Sequence, residues 1–103
     1  AELQDVMEDE FEVLIQTYLT DSRDRIASLK EALAAGDADA VARTAHSFKG
    51  SCINIGAPRL GDLCQAAEQA GKVADLARAQ ALMADIEAEF AVVTGLLEGL
   101  SVR

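Results

Sequence analysis

A helical repeat of apolar residues is the feature that most constrains the fold of this chain. Val41, Ala45, Phe48, Cys52 and Ile55 follow one another at spacings of 4, 3, 4 and 3 residues. Apolar side chains at this spacing lie on one face of an α-helix, whereas a half-buried strand alternates apolar and polar residues. The same periodicity continues through most of the chain. The sequence therefore predicts an all-α fold.

Turn and cap residues divide the chain into helices. Gly36 and Gly56 are placed to end helices, Asp37 suits an N-cap, and Pro58 suits a first helical position. The predicted helices span about 3–7, 8–35, 38–55, 58–71 and 75–100. We predict one domain over 1–103, an antiparallel up-down-up-down four-helix bundle with a short extra N-terminal helix over one end. The aromatic residues predicted for its core are Phe11, Tyr18, Phe48 and Phe90.

Composition and charge exclude several classes of protein. The 103 residues carry a net charge of −9, which argues against binding to nucleic acid or to an anionic membrane. No run of about 18 apolar residues or signal peptide is visible, so we expect a cytoplasmic protein. One histidine and two cysteines give no spacing of metal ligands, and both cysteines are expected in a reduced core. Buried seams beside an exposed working face favour a monomer.

His46, the single histidine, is predicted to point away from the core. At about 100° per residue it lies roughly 140° from the apolar seam of its helix. Arg43, Lys49 and Gly50 fall one turn away on the same stripe, and Ile53 falls two turns away. The window from 40 to 61 contains no acidic residue, so this part of an acidic chain is suited to meet a negative group.

The neighbours of His46 suit a phosphoryl acceptor. Neutral imidazole is a nucleophile, and its ordinary pKa of about 6.5 leaves much of it neutral near pH 7. Lys49, and Arg43 as a secondary residue, would offset the charge of a phosphoryl group. Gly50 would give a partner close access despite the cost of glycine inside a helix. Ala42 and Ile53 would add apolar docking surface.

The segment from His46 to Ala57, HSFKGSCINIGA, resembles the signature of the histidine-containing phosphotransfer (HPt) domains of bacterial two-component phosphorelays. That signature has an apolar residue two positions after the histidine, then Lys-Gly-Ser, and a Gly-Ala pair ten residues after the histidine. Each position is matched here, and Cys52 stands where the family often has Ser or Ala. Downstream residues of this chain are similar to the family's next helix: Leu60, Leu63, Cys64, Glu68 and Gly71.

The resemblance implies a phosphocarrier rather than an enzyme. His46 would take a phosphoryl group from the aspartate of a receiver domain in a hybrid sensor kinase and pass it to the aspartate of a response regulator. The chain would need no cofactor of its own, and the receiver would supply Mg²⁺. Lys49-Gly50-Ser51 has the reverse order of a Walker motif, which argues against ATP binding. Reflection through the turn near Gly56 places Gln65 and Gln69 level with His46, as possible hydrogen-bond partners of the imidazole or phosphoryl group.

Two other interpretations remain open at this point. The chain could be a helical adaptor that binds receivers without phosphorylation of His46. It could also be the phosphoacceptor domain of a larger chemotaxis-type kinase. Phosphate transfer from a receiver distinguishes the first alternative, and dependence on an ATP-binding domain distinguishes the second.

Overall fold

Four helices make up the part of the chain that the structure, a computed structural model, describes: the backbone of residues 2–101 and the side chains of residues 10–99. Helix α1 spans Glu2–Ala35, α2 spans Ala38–Ile55, α3 spans Pro58–Lys72 and α4 spans Leu76–Ser101. No strand occurs between residues 2 and 101. The predicted all-α bundle is confirmed.

The helices form a ring in chain order. Helix α1 packs on α2 and α4, and α3 packs on the same two helices. The short connections make successive helices antiparallel. Helices α1 and α4, with 34 and 26 residues, extend well beyond the hairpin of α2 and α3, whose helices have 18 and 15. The molecule is therefore elongated, 53 × 18 × 18 Å.

The N-terminal region differs from the prediction. The backbone is helical without a break from Glu2, so the segment 3–7 is the first part of α1 and not a separate helix. No glycine or proline separates this segment from the rest of α1, so nothing in the sequence interrupts the helical hydrogen bonds there. The predicted position of segment 3–7 over one end of the bundle depends on side chains that lie outside the described residues.

The three turns share one hydrogen-bond pattern. After α1, Gly36 N–H donates to Leu33 and Asp37 N–H donates to Ala32; the residue pairs after α2 and α3 bond in the same way. This pattern needs a left-handed residue just after the helix. Gly36 and Gly56 fill that position with φ of +68° and +85°, but after α3 it is filled by Ala74 with φ of +59°. The third turn is thus strained where the others are not.

The core is built from the predicted seams. Ile15, Leu19, Leu29, Phe48 and Leu60 are fully buried, which is worth about 1.5–3 kcal/mol for each side chain. The rings of Phe48 and Phe90 meet edge to face at 6.5 Å.

Cys52 and Cys64 are buried free thiols, as predicted. Cys52 Sγ lies 3.3 Å from the Tyr18 hydroxyl. The adjacent Cys52 thiol and burial together raise the pKa of Cys64.

Phe11 was predicted for the core, but 42% of it is exposed. Phe11 lies about one turn beyond Leu14, which lines a groove with Asn54 and Ile55 at the end of α2, so its part of α1 projects past the α2–α3 hairpin.

Helices α2 and α3 approach each other closely at Gly71. A Cβ atom on Gly71 would lie 2.7 Å from the backbone nitrogen of Ala42 and 2.9 Å from the carbonyl oxygen of Ala38. Glycine therefore allows the two backbones to touch. Ala42 is only 9% exposed as a result. The prediction that Ala42 adds docking surface is wrong, because α3 covers it.

Candidate functional site: a histidine on a buried carboxylate

His46 lies in the middle of α2, on the face that the other helices leave open. Its side chain is 67% exposed, which confirms the predicted outward orientation. Two turns of helix precede it and two follow, so its backbone is held firmly. Asp37 caps the start of α2, with its Oδ1 accepting from the Ala40 N–H at 3.1 Å. The imidazole thus stands on a rigid support and projects into solvent.

A buried carboxylate from α3 holds the imidazole. Glu68 Oε2 lies 3.0 Å from His46 Nδ1. The His46 side chain is mostly exposed, but only 6% of the Glu68 side chain is. An ionised carboxylate has no proton to donate, so Nδ1 carries the hydrogen of this bond. In the neutral ring the lone pair is then on Nε2, the nitrogen farther from Glu68.

Two lysines share the same carboxylate. Lys49 Nζ donates to Glu68 Oε1 at 2.9 Å and to Gln65 Oε1 at 2.7 Å. Lys72 Nζ lies 3.3 Å from Glu68 Oε2, the oxygen that also bonds the imidazole. The Lys49 side chain is 21% exposed and that of Lys72 is 56% exposed. One buried anion therefore organises one imidazole and two ammonium groups.

These contacts keep Glu68 ionised. The hydrogen bond from Lys49 has the largest effect, and with those from Lys72 and His46 it lowers the pKa of Glu68 to about 2, although burial acts in the opposite direction. The carboxylate is accordingly a hydrogen-bond acceptor throughout the pH range in which imidazole titrates. The orientation of the ring is fixed on either side of neutrality.

The structure separates the other predicted site residues into three groups. Gly50 and Ile53 share the exposed stripe of His46; Ile53 is 62% exposed, and a Cβ on Gly50 would meet nothing within 4 Å. Arg43 is directed toward the start of α2, where it pairs with Asp39 at 3.4 Å.

The two glutamines of α3 do not reach the imidazole. Gln65 contacts Lys49, while the exposed Gln69 makes no side-chain hydrogen bond to any described residue. The predicted bond from either glutamine to the imidazole is therefore absent, because Glu68 occupies that place.

Glu68 and Lys72 were missed as site residues, although the sequence carries a signal for each. The reflection through the turn lands close to Glu68, and Glu68 stands beside the apolar seam of α3 at Cys64, Ala67 and Gly71. A carboxylate at such a position requires a charged partner. Lys72 follows Glu68 by four residues, the spacing of a helical ion pair. Their position off the seam favours the glutamines, but the contact with the imidazole comes from Glu68, at the edge of the seam.

The part of the chain that the structure describes offers neither a metal site nor a membrane span. Residues 10–99 contain no group of three or more His, Cys, Asp and Glu side chains that could hold a metal ion. Over the described helices, no stretch has the length and apolar character needed to cross a membrane.

Comparisons with known proteins agree with this geometry. The family model of the Hpt domain matches residues 13–100. A crystal structure of histidine-containing phosphotransfer protein B (HptB) from Pseudomonas aeruginosa PAO1 is similar to this chain, with 46% identity and a TM-score of 0.88. The match covers 98% of this chain and 88% of that one. Among curated proteins no significant match is found. The chain therefore belongs to the Hpt domain family, whose role is histidine phosphotransfer in phosphorelays.

Proposed function

We propose that His46 is the phosphoryl carrier of a phosphorelay, loaded by the aspartyl phosphate of one receiver domain and discharged to the aspartate of another. The observation that carries this proposal is the bond of 3.0 Å between His46 Nδ1 and the buried Glu68 carboxylate. It directs the nucleophilic nitrogen, Nε2, away from the protein. An imidazole that served only packing or solubility would not need a buried carboxylate to fix its tautomer.

The proposed reaction is a displacement at phosphorus. The lone pair of Nε2 attacks the phosphorus of the aspartyl phosphate, and an N–P bond forms as the P–O bond to the aspartate breaks. The aspartate leaves as a carboxylate with the bonding electrons. The proton on Nδ1 stays in its hydrogen bond to Glu68, which stabilises the positive charge on the ring. In the second transfer these bond changes run in reverse on another aspartate.

Lys49 has a supporting role in this proposal. Its ammonium group sits one turn from His46, held by Glu68 and Gln65. Two of its three N–H donors are used in those bonds, and the third is available to an incoming phosphoryl oxygen. Arg43, paired with Asp39 in solvent, would add only a diffuse positive charge.

The receiver must come close to Nε2, and the surface beside His46 suits this. Gly50 presents bare backbone one turn along α2, and no contact with a described residue requires glycine there. Ile53, one turn further, offers an exposed apolar side chain to the same partner. We propose that the receiver docks on this stripe and supplies Mg²⁺ with the acidic residues that bind it. This chain then acts as a carrier and not as an enzyme.

The experiment that tests the proposal follows labelled phosphate from a phosphorylated receiver. We expect label to appear on the wild-type chain in an acid-labile, alkali-stable form, and to be lost in His46→Gln. Ser47→Ala, which changes the next exposed residue of α2, should retain it. Circular dichroism checks that each variant keeps its helices. Receiver binding without label across a panel of receivers would favour the adaptor interpretation, and labelling only by an ATP-binding kinase domain would favour the chemotaxis-type one.

A further inference from the structure

Lys72 is the charged group of the site for which phosphotransfer gives no immediate role. It ends α3, 56% of its side chain is exposed, and it forms an ion pair with Glu68 Oε2 at 3.3 Å. The same oxygen accepts from His46 Nδ1 at 3.0 Å. The ammonium group and the imidazole are therefore close neighbours across one atom.

A carboxylate beside an imidazole has two opposite effects. It fixes the useful tautomer, but it also stabilises the protonated ring. A protonated ring has no lone pair on Nε2 and does not attack phosphorus. Glu68 alone would thus also favour the unreactive, protonated form of the ring.

We propose, on the basis of the function above, that Lys72 is a positioning residue that counters this second effect and keeps the imidazole neutral. Its positive charge shares Oε2 with the ring, so protonation of the ring places two positive groups on one oxygen. Lys49 binds the other oxygen, Oε1, and neutralises the carboxylate without competing for the same atom. Glu68 therefore keeps its orienting bond to Nδ1, while its stabilisation of the protonated ring is opposed.

The other charged groups around His46 do not duplicate Lys72. On α2, Arg43 is paired with Asp39 in solvent. From α1, Asp24 and Arg25 line a groove with Arg43 and Ser47, and their opposite charges offset each other. The groups that contact Glu68 and the ring are those already described, from α2 and α3. Removal of Lys72 is thus the simplest change of charge at the imidazole.

Because the chain has one histidine, the test can be read from a single imidazole C2–H proton resonance. We expect Lys72→Gln to raise the pH midpoint of that resonance by about 0.5 to 1 unit, the size of a Coulomb interaction over about 6 Å between two largely exposed groups at an effective dielectric constant of about 40 to 80. Lys72→Arg should restore the wild-type midpoint. The matched control is Lys30→Gln, an exposed lysine of α1 paired with Glu87 of α4, which loses the same net charge away from the site.

Chemical phosphorylation gives a second measurement that needs no receiver. Phosphoramidate is the donor, and the pH is set one unit below the wild-type midpoint. There Lys72→Gln should be labelled about three- to tenfold more slowly than the wild type, since the neutral fraction of its His46 imidazole is smaller by that factor. Two units above the midpoint the rates should converge. A purely structural role for Lys72 would lower both rates alike.

The outcomes separate this inference from the proposed function. An unchanged midpoint in folded Lys72→Gln, or an equal shift in Lys30→Gln, overturns the role of Lys72 and leaves the relay function standing. Failure of the wild-type chain to accept label from any receiver overturns the relay function, while the midpoint still reports on Lys72. A raised midpoint that Lys72→Arg reverses and Lys30→Gln does not reproduce supports the inference.

Discussion

Gly71→Ala should destabilise the bundle strongly, although alanine is normally the better helix residue. The added Cβ would lie 2.7 Å from the backbone nitrogen of Ala42 and 2.9 Å from the carbonyl oxygen of Ala38. These are backbone atoms inside a helix and cannot rotate away, so α2 and α3 must move apart. Such overpacking costs about 1–3 kcal/mol, and strained backbone contacts lie at the upper end, while exchange of glycine for alanine in a helix returns about 1 kcal/mol. We expect a net loss of about 2 kcal/mol in the free energy of unfolding.

Urea unfolding followed by circular dichroism measures this loss. With a slope of about 1–2 kcal/mol per molar urea, the midpoint should fall by roughly 1–2 M. Gly95→Ala is the matched control: Gly95 lies inside α4, and a Cβ there would meet nothing within 4 Å. That variant should gain about 1 kcal/mol. If Gly71→Ala is as stable as the wild type, or gains stability as Gly95→Ala does, the close approach of the helices does not exist in solution.

Three further predictions concern the turns, the buried carboxylate and access to the imidazole. Ala74→Gly should raise the free energy of unfolding by about 0.5–1 kcal/mol, because it removes the backbone strain of a left-handed alanine. Gly56→Ala should lower the free energy of unfolding by about 1 kcal/mol by introducing the same strain. Urea unfolding measures both changes. The pKa of Glu68 is about 2 in the folded protein and near its ordinary value when unfolded. Its contribution to the free energy of unfolding is therefore complete above about pH 4.5 and disappears as the pH falls toward 2. Glu68→Gln should flatten the fall in urea midpoint across that window, and an equally steep fall would contradict the assignment. Gly50→Gln should slow transfer from a receiver at least tenfold yet leave labelling of His46 by phosphoramidate unchanged, because only the receiver needs the open space; equal loss in both assays would place the effect on the imidazole instead.

The sequence was sufficient to predict the helices because their ends are marked by local chemistry. Gly36, Asp37, Gly56 and Pro58 each fix a boundary through a backbone preference that acts within a few residues. The left-handed residue after α3 was not foreseen, since alanine carries no such signal. That turn closes through the hydrogen bonds of Ala74 N–H to Gly71 and Asp75 N–H to Ala70, which the local sequence pattern does not mark.

The outward direction of His46 could be predicted, but its hydrogen-bond partner could not. The direction follows from the angle between His46 and the seam of one helix. The partner depends on how α3 is rotated against α2, and one step along α3 turns a side chain by about 100°. That single step separates Glu68 from Gln69, and the error in reflecting one helix onto another is at least as large. Phe11 and Ala42 were misjudged for a related reason: exposure depends on which neighbouring helix reaches that height.

The chemistry of His46 and the packing of the hairpin depend on each other. No residue one turn from His46 on its own helix offers an acceptor for Nδ1: Ala42 and Gly50 have no polar side chain, and Arg43 and Lys49 only donate. The acceptor must therefore come from α3. The close contact between the two backbones at Gly71 lies one helical turn from Glu68 on α3 and, through Ala42, one turn from His46 on α2. The separation of the backbones at Gly71 thus determines the distance between the Glu68 carboxylate and the His46 imidazole. Glycine at this position is needed for the geometry of the site as well as for the packing of the fold.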